Sequence, residues 1–182
     1  DTLERFKKII QQPNGLILLN GPTGSGKTTA ISSALCHLVE THGATISIST
    51  VEDPVEFNLP MISQSQISNS RGFTYPMALR SLMRQDPEAI MIGEIRDPET
   101  AAIAVQAGLT GHMVISTIHS DSTAGVYARL INMDIEPFLL ASSITGVLGL
   151  RLLRTICTHC KTEDQPNPEH LTLLPEGFVE ET

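Results

Sequence analysis

Tryptophan is absent from this 182-residue chain, and cysteine occurs only three times. So few cysteines, with no dense spacing pattern, do not make a disulfide-stapled secreted scaffold and suit a reducing cytosol. Basic residues are scarce as well. Twelve Lys and Arg against 20 Asp and Glu leave a net charge of −8, with a pI near 5.1. That balance argues against a nucleic-acid binder working through a broad basic surface, though a local basic channel stays open. No apolar run is long enough to span a bilayer. The opening residues Asp1-Thr2-Leu3-Glu4-Arg5-Phe6 lack the basic-then-apolar form of a signal peptide. Position 1 is not Met, so the chain is expected to be a piece of a longer protein. Its length allows one domain with a real core and a small appendage.

What is present is sharper. Gly21-Pro22-Thr23-Gly24-Ser25-Gly26-Lys27-Thr28 fits the phosphate-loop pattern G-x-x-x-x-G-K-[ST] at every defined position. Glycines let the backbone bring N–H groups close to a polyphosphate. Lys27 offers a point charge to the β- and γ-phosphates, and the Thr28 hydroxyl suits Mg²⁺. Gly15–Asn20 reads as a short buried strand before the loop, and Thr28 to Glu40 as a helix after it. A phosphate would then meet the unpaired N–H groups of a helix N-terminus. Gly21 through Thr29 are the candidate nucleotide-binding residues of a protein that binds a nucleoside triphosphate.

Beyond a short amphipathic helix at Leu3–Gln11, apolar strands alternate with helices. Strands are expected at Leu16–Leu19, Thr45–Val51, Ala89–Ile92 and His112–Thr117. Helices are expected at Thr28–Glu40, Pro76–Arg84, Pro98–Ala107, Thr123–Asn132 and Pro137–Leu153. This rhythm predicts a three-layer α/β domain with a mostly parallel sheet. Ile62–Ile67 alternates with period two, which suits an antiparallel or edge strand. The domain is expected over residues 1–155, and 156–182 as a cysteine-containing appendage, rich in Pro and Glu beyond Lys161.

In open parallel sheets, ligands bind at the carboxyl ends of the strands. Those ends carry Glu52-Asp53-Pro54-Val55-Glu56, Gly93-Glu94-Ile95-Arg96-Asp97 and Thr117-Ile118-His119-Ser120. Ile90–Glu94 has the form of a Walker B strand, whose acid holds the Mg²⁺ shell or orients the attacking water. Glu94 could instead cap the next helix, but Asp97 is better placed for that. Glu52 is the second candidate for polarising water; otherwise it is a turn residue before Pro54. Arg80 and Arg84 lie four residues apart on one helix face. They serve either the γ-phosphate, in this subunit or a neighbour, or surface ion pairs with Asp86 or Glu88. His112 and His119 flank the fourth strand and are candidate γ-phosphate sensors or plain structural residues. Cys36, inside the first long helix, reads as a small core residue.

Taken in order, Gly21–Thr28, Thr50–Glu56, Leu79–Pro87, Met91–Asp97 and Thr110–His119 closely resemble the Walker A, Asp box, Walker B and His box motifs of the secretion ATPases of type II secretion and type IV pilus assembly. The resemblance runs from Gly15 to Lys161 and implies a RecA-like P-loop NTPase fold. It implies that Lys27 and Thr28 bind phosphate and Mg²⁺, that Glu94 is the Walker B acid and that Glu52 activates water. It places His112 and His119 on the γ-phosphate side and leaves Arg80 and Arg84 without a fixed role. It also implies a homo-hexamer on the cytoplasmic face of the inner membrane, hydrolysing ATP and passing motion to a membrane platform and recruiting proteins, with no nucleic acid involved.

Arg151-Leu152-Leu153-Arg154-Thr155-Ile156-Cys157-Thr158-His159-Cys160 resembles the type II secretion and pilus-extension branch. There, a second cysteine pair completes a four-thiolate Zn²⁺ site. Cys157 and Cys160 are half of such a site; His159 and His170 are further donors whose spacing demands nothing. Family members carry a domain ahead of the phosphate-loop domain, expected to be absent here, so this piece is expected to bind nucleotide but hydrolyse it slowly. A RecA-like nucleic-acid translocase, a small-molecule kinase and a non-catalytic docking module are the competing readings.

Overall fold

Gly15–Asn20 forms strand β1, buried along its whole length. It is the axis of the fold seen in a computed structural model, which describes residues 1–163 together with 167, 169 and 172. Helix α1 (Thr2–Ile10) precedes it, and α2 (Lys27–His42) follows the phosphate loop. Then come β2 (Ile48–Glu52), β3 (Ser63–Gln66), α3 (Tyr75–Leu82), β4 (Ala89–Ile92), α4 (Pro98–Leu109) and β5 (Met113–Thr117). Helices α5 (Thr123–Ile131) and α6 (Pro137–Ser143) lead to the last strand, β6 (Ile144–Gly149). The strands form one sheet in the order β3-β2-β4-β5-β1-β6, with every pairing parallel.

The sheet's alternation sorts the core into two layers. Ile17 and Leu19 of β1, Met91 of β4 and Ile115 of β5 pack with Phe6, Ile31 and Leu35 of α1 and α2. Leu16 and Leu18, Ile90 and Ile92, and Val114 face the other way, onto Leu79, Ala104, Val126 and Leu140 of α3 to α6. Strands buried on both faces explain why their sequences read as continuous apolar runs rather than alternating ones. Cys36, expected in this core, is only half-buried. It sits one residue, about 100° of helix rotation, away from the buried Leu35.

One expectation is corrected, and a second is resolved between its two alternatives. The single helix expected at Pro137–Leu153 is α6 followed by β6. The helix stops where β-branched Ile144 and Thr145 and then Gly146 and Gly149 begin, all poor helix formers. The same residues find a ladder on the open side of β1. Strand β3 is an edge strand, but it runs parallel to β2, not antiparallel.

Asp97 caps α4, as the sequence suggests: its Oδ1 accepts the Thr100 amide at 2.8 Å and its Oδ2 the Thr100 hydroxyl at 2.7 Å. Asp97→Ala is expected to cost about 1 kcal/mol, and up to about 2 kcal/mol, of folding stability. The check is the urea midpoint at unchanged slope, and a midpoint equal to that of the parent chain would contradict the capping role. The unit holding all these elements ends at Leu152, three residues short of the expected boundary at 155, and a second unit begins at Leu153.

Candidate functional site at the carboxyl ends of the strands

Parallel pairing brings the polar strand ends onto one rim. In sheet order, β2 ends in Glu52, β4 leads into Gly93 and Glu94, β5 ends in Thr117, and β1 leads into the phosphate loop. Bonds past the ladders lock this rim: Gly93 N to Val51 O (2.8 Å), Ile95 N to Thr117 O (2.9 Å) and Ile118 N to Leu19 O (3.0 Å). Lys27, Thr28, Glu52, Asp53, Glu56, Tyr75, Glu94 and Thr117 line a cavity of about 160 Å³ there.

The loop has the shape its sequence demands. Gly26, at φ 88°, turns the chain into α2 and offers no side-chain cap. The first amides of that helix therefore keep their donors for a ligand. Ser25 is buried, and its Oγ has no hydrogen-bond partner among the described residues. Lys27 Nζ donates to the carbonyls of Gly21 and Pro22, both at 2.9 Å. Burial lowers the Lys27 pKa, Glu94 opposes that shift, and Arg151 adds to it. A cation resting on carbonyls, an orphaned hydroxyl and uncapped amides together fit a polyphosphate.

Glu52 is buried, and its Oε1 accepts both the Thr50 hydroxyl at 2.6 Å and the Gln64 amide at 2.9 Å. With that oxygen held, Oε2 is the one left to act in the cavity. Glu94 pairs with Arg96. Thr117 Oγ1 donates to Gly93 O at 2.8 Å. Tyr75 closes the cavity, its phenol oxygen 2.7 Å from where a Cβ on Gly93 would stand, so only glycine at 93 admits it. Burial, with the carboxylates of Glu94, Asp53 and Glu52, pushes the phenol pKa well above its ordinary value. Tyr75 has no part in the sequence-based expectations, and Thr117 and Arg96 stand there in the strand-end segments without a role of their own. Thr117 carries a signal there, as the last residue of a strand beside the phosphate loop.

The sequence comparison decides the family. The family model for Type II/IV secretion system proteins matches residues 1–180. The chain belongs to that family. It is 54% identical over 162 residues to the type II secretion system protein HxcR of Pseudomonas aeruginosa, a match covering 89% of this chain and 34% of that protein. It is 48% identical over 181 residues to the type IV pilus assembly ATPase PilB of the same species, covering 100% of this chain and 31% of that one. Among solved structures, the pilus retraction motor PilT with bound ADP superposes with a TM-score of 0.71 at 32% identity, over 82% of this chain and 46% of that one. The secretion-family chain thus spans about a third of these two relatives, 34% and 31% of their lengths.

Other predicted residues of this type II/IV secretion family member fall elsewhere. His112 precedes β5, at the opposite end of the sheet from the loop, and its carbonyl accepts the Gly15 amide at 3.1 Å. Five strand residues, about 16 Å, separate that end from Thr117. The expectation that His112 lines the γ-phosphate is therefore corrected: within this chain it sits on the far rim. His119 lies across the loop, in a second cavity of about 690 Å³ with Gly21 and Pro22. Arg80 pairs with Glu99 at 2.7 Å, and Arg84 donates to the Arg80 carbonyl at 2.6 Å. Neither arginine lines the phosphate-side cavity, and the acid Arg80 pairs with is neither Asp86 nor Glu88.

In the second unit, Cys157 and Cys160 are exposed. Backbone N–H groups of His159 and Cys160, with the Cys160 side chain, lower the Cys157 thiol pKa. Among the described residues, no three metal-ligating side chains come together. Two thiols do not make a zinc site, and His170 lies outside the described residues.

Proposed function

We propose that this chain is the ATP-binding and hydrolysing domain of a hexameric motor that drives type II secretion or type IV pilus assembly. The observation carrying this reading is the single cavity in which Lys27 and Thr28 of the loop meet Glu52 and Glu94 of two neighbouring strands. Family membership adds support, because the relatives' names include pilus assembly and type II secretion ATPases.

The chemistry follows from positions. The α2 amides and the loop N–H groups cradle the phosphates, and Lys27 exchanges its two carbonyl partners for phosphate oxygens. The Thr28 hydroxyl and the Glu94 carboxylate would hold Mg²⁺, which would supply charge neutralisation on the transferred phosphoryl group. Glu52, fixed through Oε1, would orient water with Oε2 and take its proton as the water attacks the γ-phosphorus, while the bond to the β,γ-bridging oxygen breaks and ADP leaves. Thr117 lines the cavity with Glu52 and Glu94, and His119 lies across the loop in the second cavity. Arg80 and Arg84, engaged with Glu99 and the Arg80 carbonyl, could serve the γ-phosphate only from a neighbouring subunit. No helix among the described residues is long and apolar enough to cross a membrane. Peripheral attachment to the cytoplasmic face of the inner membrane, through platform and recruiting proteins, is the arrangement proposed.

The test is MgATP binding and phosphate release, measured on the full-length protein and on residues 1–182 side by side. Both are expected to bind nucleotide. The full-length protein is expected to turn over at least about tenfold faster, since a second domain completes the preorganised charge around the γ-phosphate. Equal turnover by the two would sink the claim that a further domain is needed. Absence of nucleotide binding in both would sink the motor reading, and stimulation by single-stranded DNA would favour a nucleic-acid translocase.

A further inference from the structure

Strand β6 does more than close the sheet: its register delivers an arginine to the phosphate loop. Asn20 pairs with Gly149, and the Leu150 amide extends the ladder to the Asn20 carbonyl at 2.9 Å. One step further, Gly21 faces Leu150 and Arg151. A Cβ on Gly21 would stand 2.6 Å from the Leu150 carbonyl oxygen, 2.6 Å from Ser25 Oγ and 3.3 Å from Arg151 Nη1. The first glycine of the loop is therefore also what lets this chain segment and its guanidinium come so close.

Arg151 is exposed, and among the described residues no carboxylate pairs with it. Its Nη1 donates only to the Leu150 carbonyl at 2.9 Å. Lys27 is in the same condition on the other side of the loop, resting on the carbonyls of Gly21 and Pro22. Two cations facing one loop, each held by backbone oxygens, repel one another until an anion lies between them. The buried, unpartnered Ser25 Oγ points to an anionic ligand at the same loop. Arg151 also lines the second cavity, with Gly21, Pro22 and His119, so its planar donors have room to turn onto a ligand seated on the loop.

We propose that Arg151 is a further nucleotide-binding residue, a guanidinium donated by the segment after β6 to the polyphosphate held on the loop. The assignment rests on the function proposed above and adds a second cation to Lys27. Guanidinium binds phosphate through a planar fork and ammonium through a point charge, so the two are complementary rather than redundant.

The experiment titrates MgATP and MgADP into the full-length protein and its Arg151→Gln and Arg151→Lys variants by calorimetry, at low and at raised salt. Arg151→Gln is expected to weaken both nucleotides about tenfold, the loss of one charge-assisted contact. Arg151→Lys is expected to recover part of that loss, and the salt dependence should flatten in Arg151→Gln. Affinity within twofold of the parent protein would overturn the proposal, as would an Arg151→Lys variant no better than Arg151→Gln. Unchanged affinity with weakened hexamer assembly would overturn it too, placing the guanidinium against a neighbouring copy. If the parent protein binds neither nucleotide, the motor reading itself fails, which separates the two claims.

Discussion

Lys27→Ala in the full-length protein is expected to lower ATP hydrolysis by about 10²- to 10³-fold, the scale on which removal of one preorganised donor to a developing charge acts. Nucleotide binding should fall with it, because Lys27 is the one lysine lining the cavity among the described residues. The fold should not suffer. Lys27 Nζ bonds only to the loop's own carbonyls of Gly21 and Pro22, and burial already disfavours its charged form. A thermal shift assay separates the two effects. The unliganded variant should melt with the parent protein. The parent should gain about 2.7 kcal/mol of stability at a ligand concentration 100 times Kd, and the variant should not. Hydrolysis within tenfold of the parent would remove Lys27 from the site.

This prediction rests on a loop that was legible in the sequence, for a physical reason. The phosphate loop is a local structure: its glycines, its lysine and the buried strand before it act over a dozen consecutive residues. The capping role of Asp97 was legible for the same reason, since the Asp97–Thr100 contact spans one helical turn. What escaped was set by pairing between distant segments. Pro137–Leu153 is mostly apolar, and such a run does not distinguish a buried helix from a buried strand. Only the open side of β1 makes Ile144–Gly149 a strand. Missing β6 meant missing Arg151, whose place follows from the register between Asn20 and Gly149. Tyr75 looked like a residue ahead of a proline-led helix, and its phenol reaches the site only because Gly93 leaves space. His112 and His119 failed to converge because seven residues of sequence are a whole strand of distance, so two histidines flanking β5 lie on opposite rims.

Glu52→Gln and Glu94→Gln are expected to separate the two carboxylates that the sequence left interchangeable. In Glu52→Gln the amide oxygen can keep the Thr50 and Gln64 donors that now meet Oε1, while the NH₂ takes the place of Oε2. Local structure should survive and basicity be lost. Hydrolysis is expected to fall by about 10²- to 10⁴-fold, the range for removing a positioned general base. MgATP affinity should stay within threefold. Glu94 stands differently, beside Gly93 and paired with Arg96 rather than held by neutral donors. Its amide variant should also slow hydrolysis, but with a distinct signature: more Mg²⁺ is needed for half-maximal rate, because a carboxylate has left the metal's surroundings. Titrating Mg²⁺ at saturating ATP on both variants reads the difference directly. If Glu52→Gln raises the Mg²⁺ requirement and Glu94→Gln leaves it unchanged, the roles are exchanged. Glu52 would then be the metal's carboxylate, and the base would lie on the β4 side of the cavity.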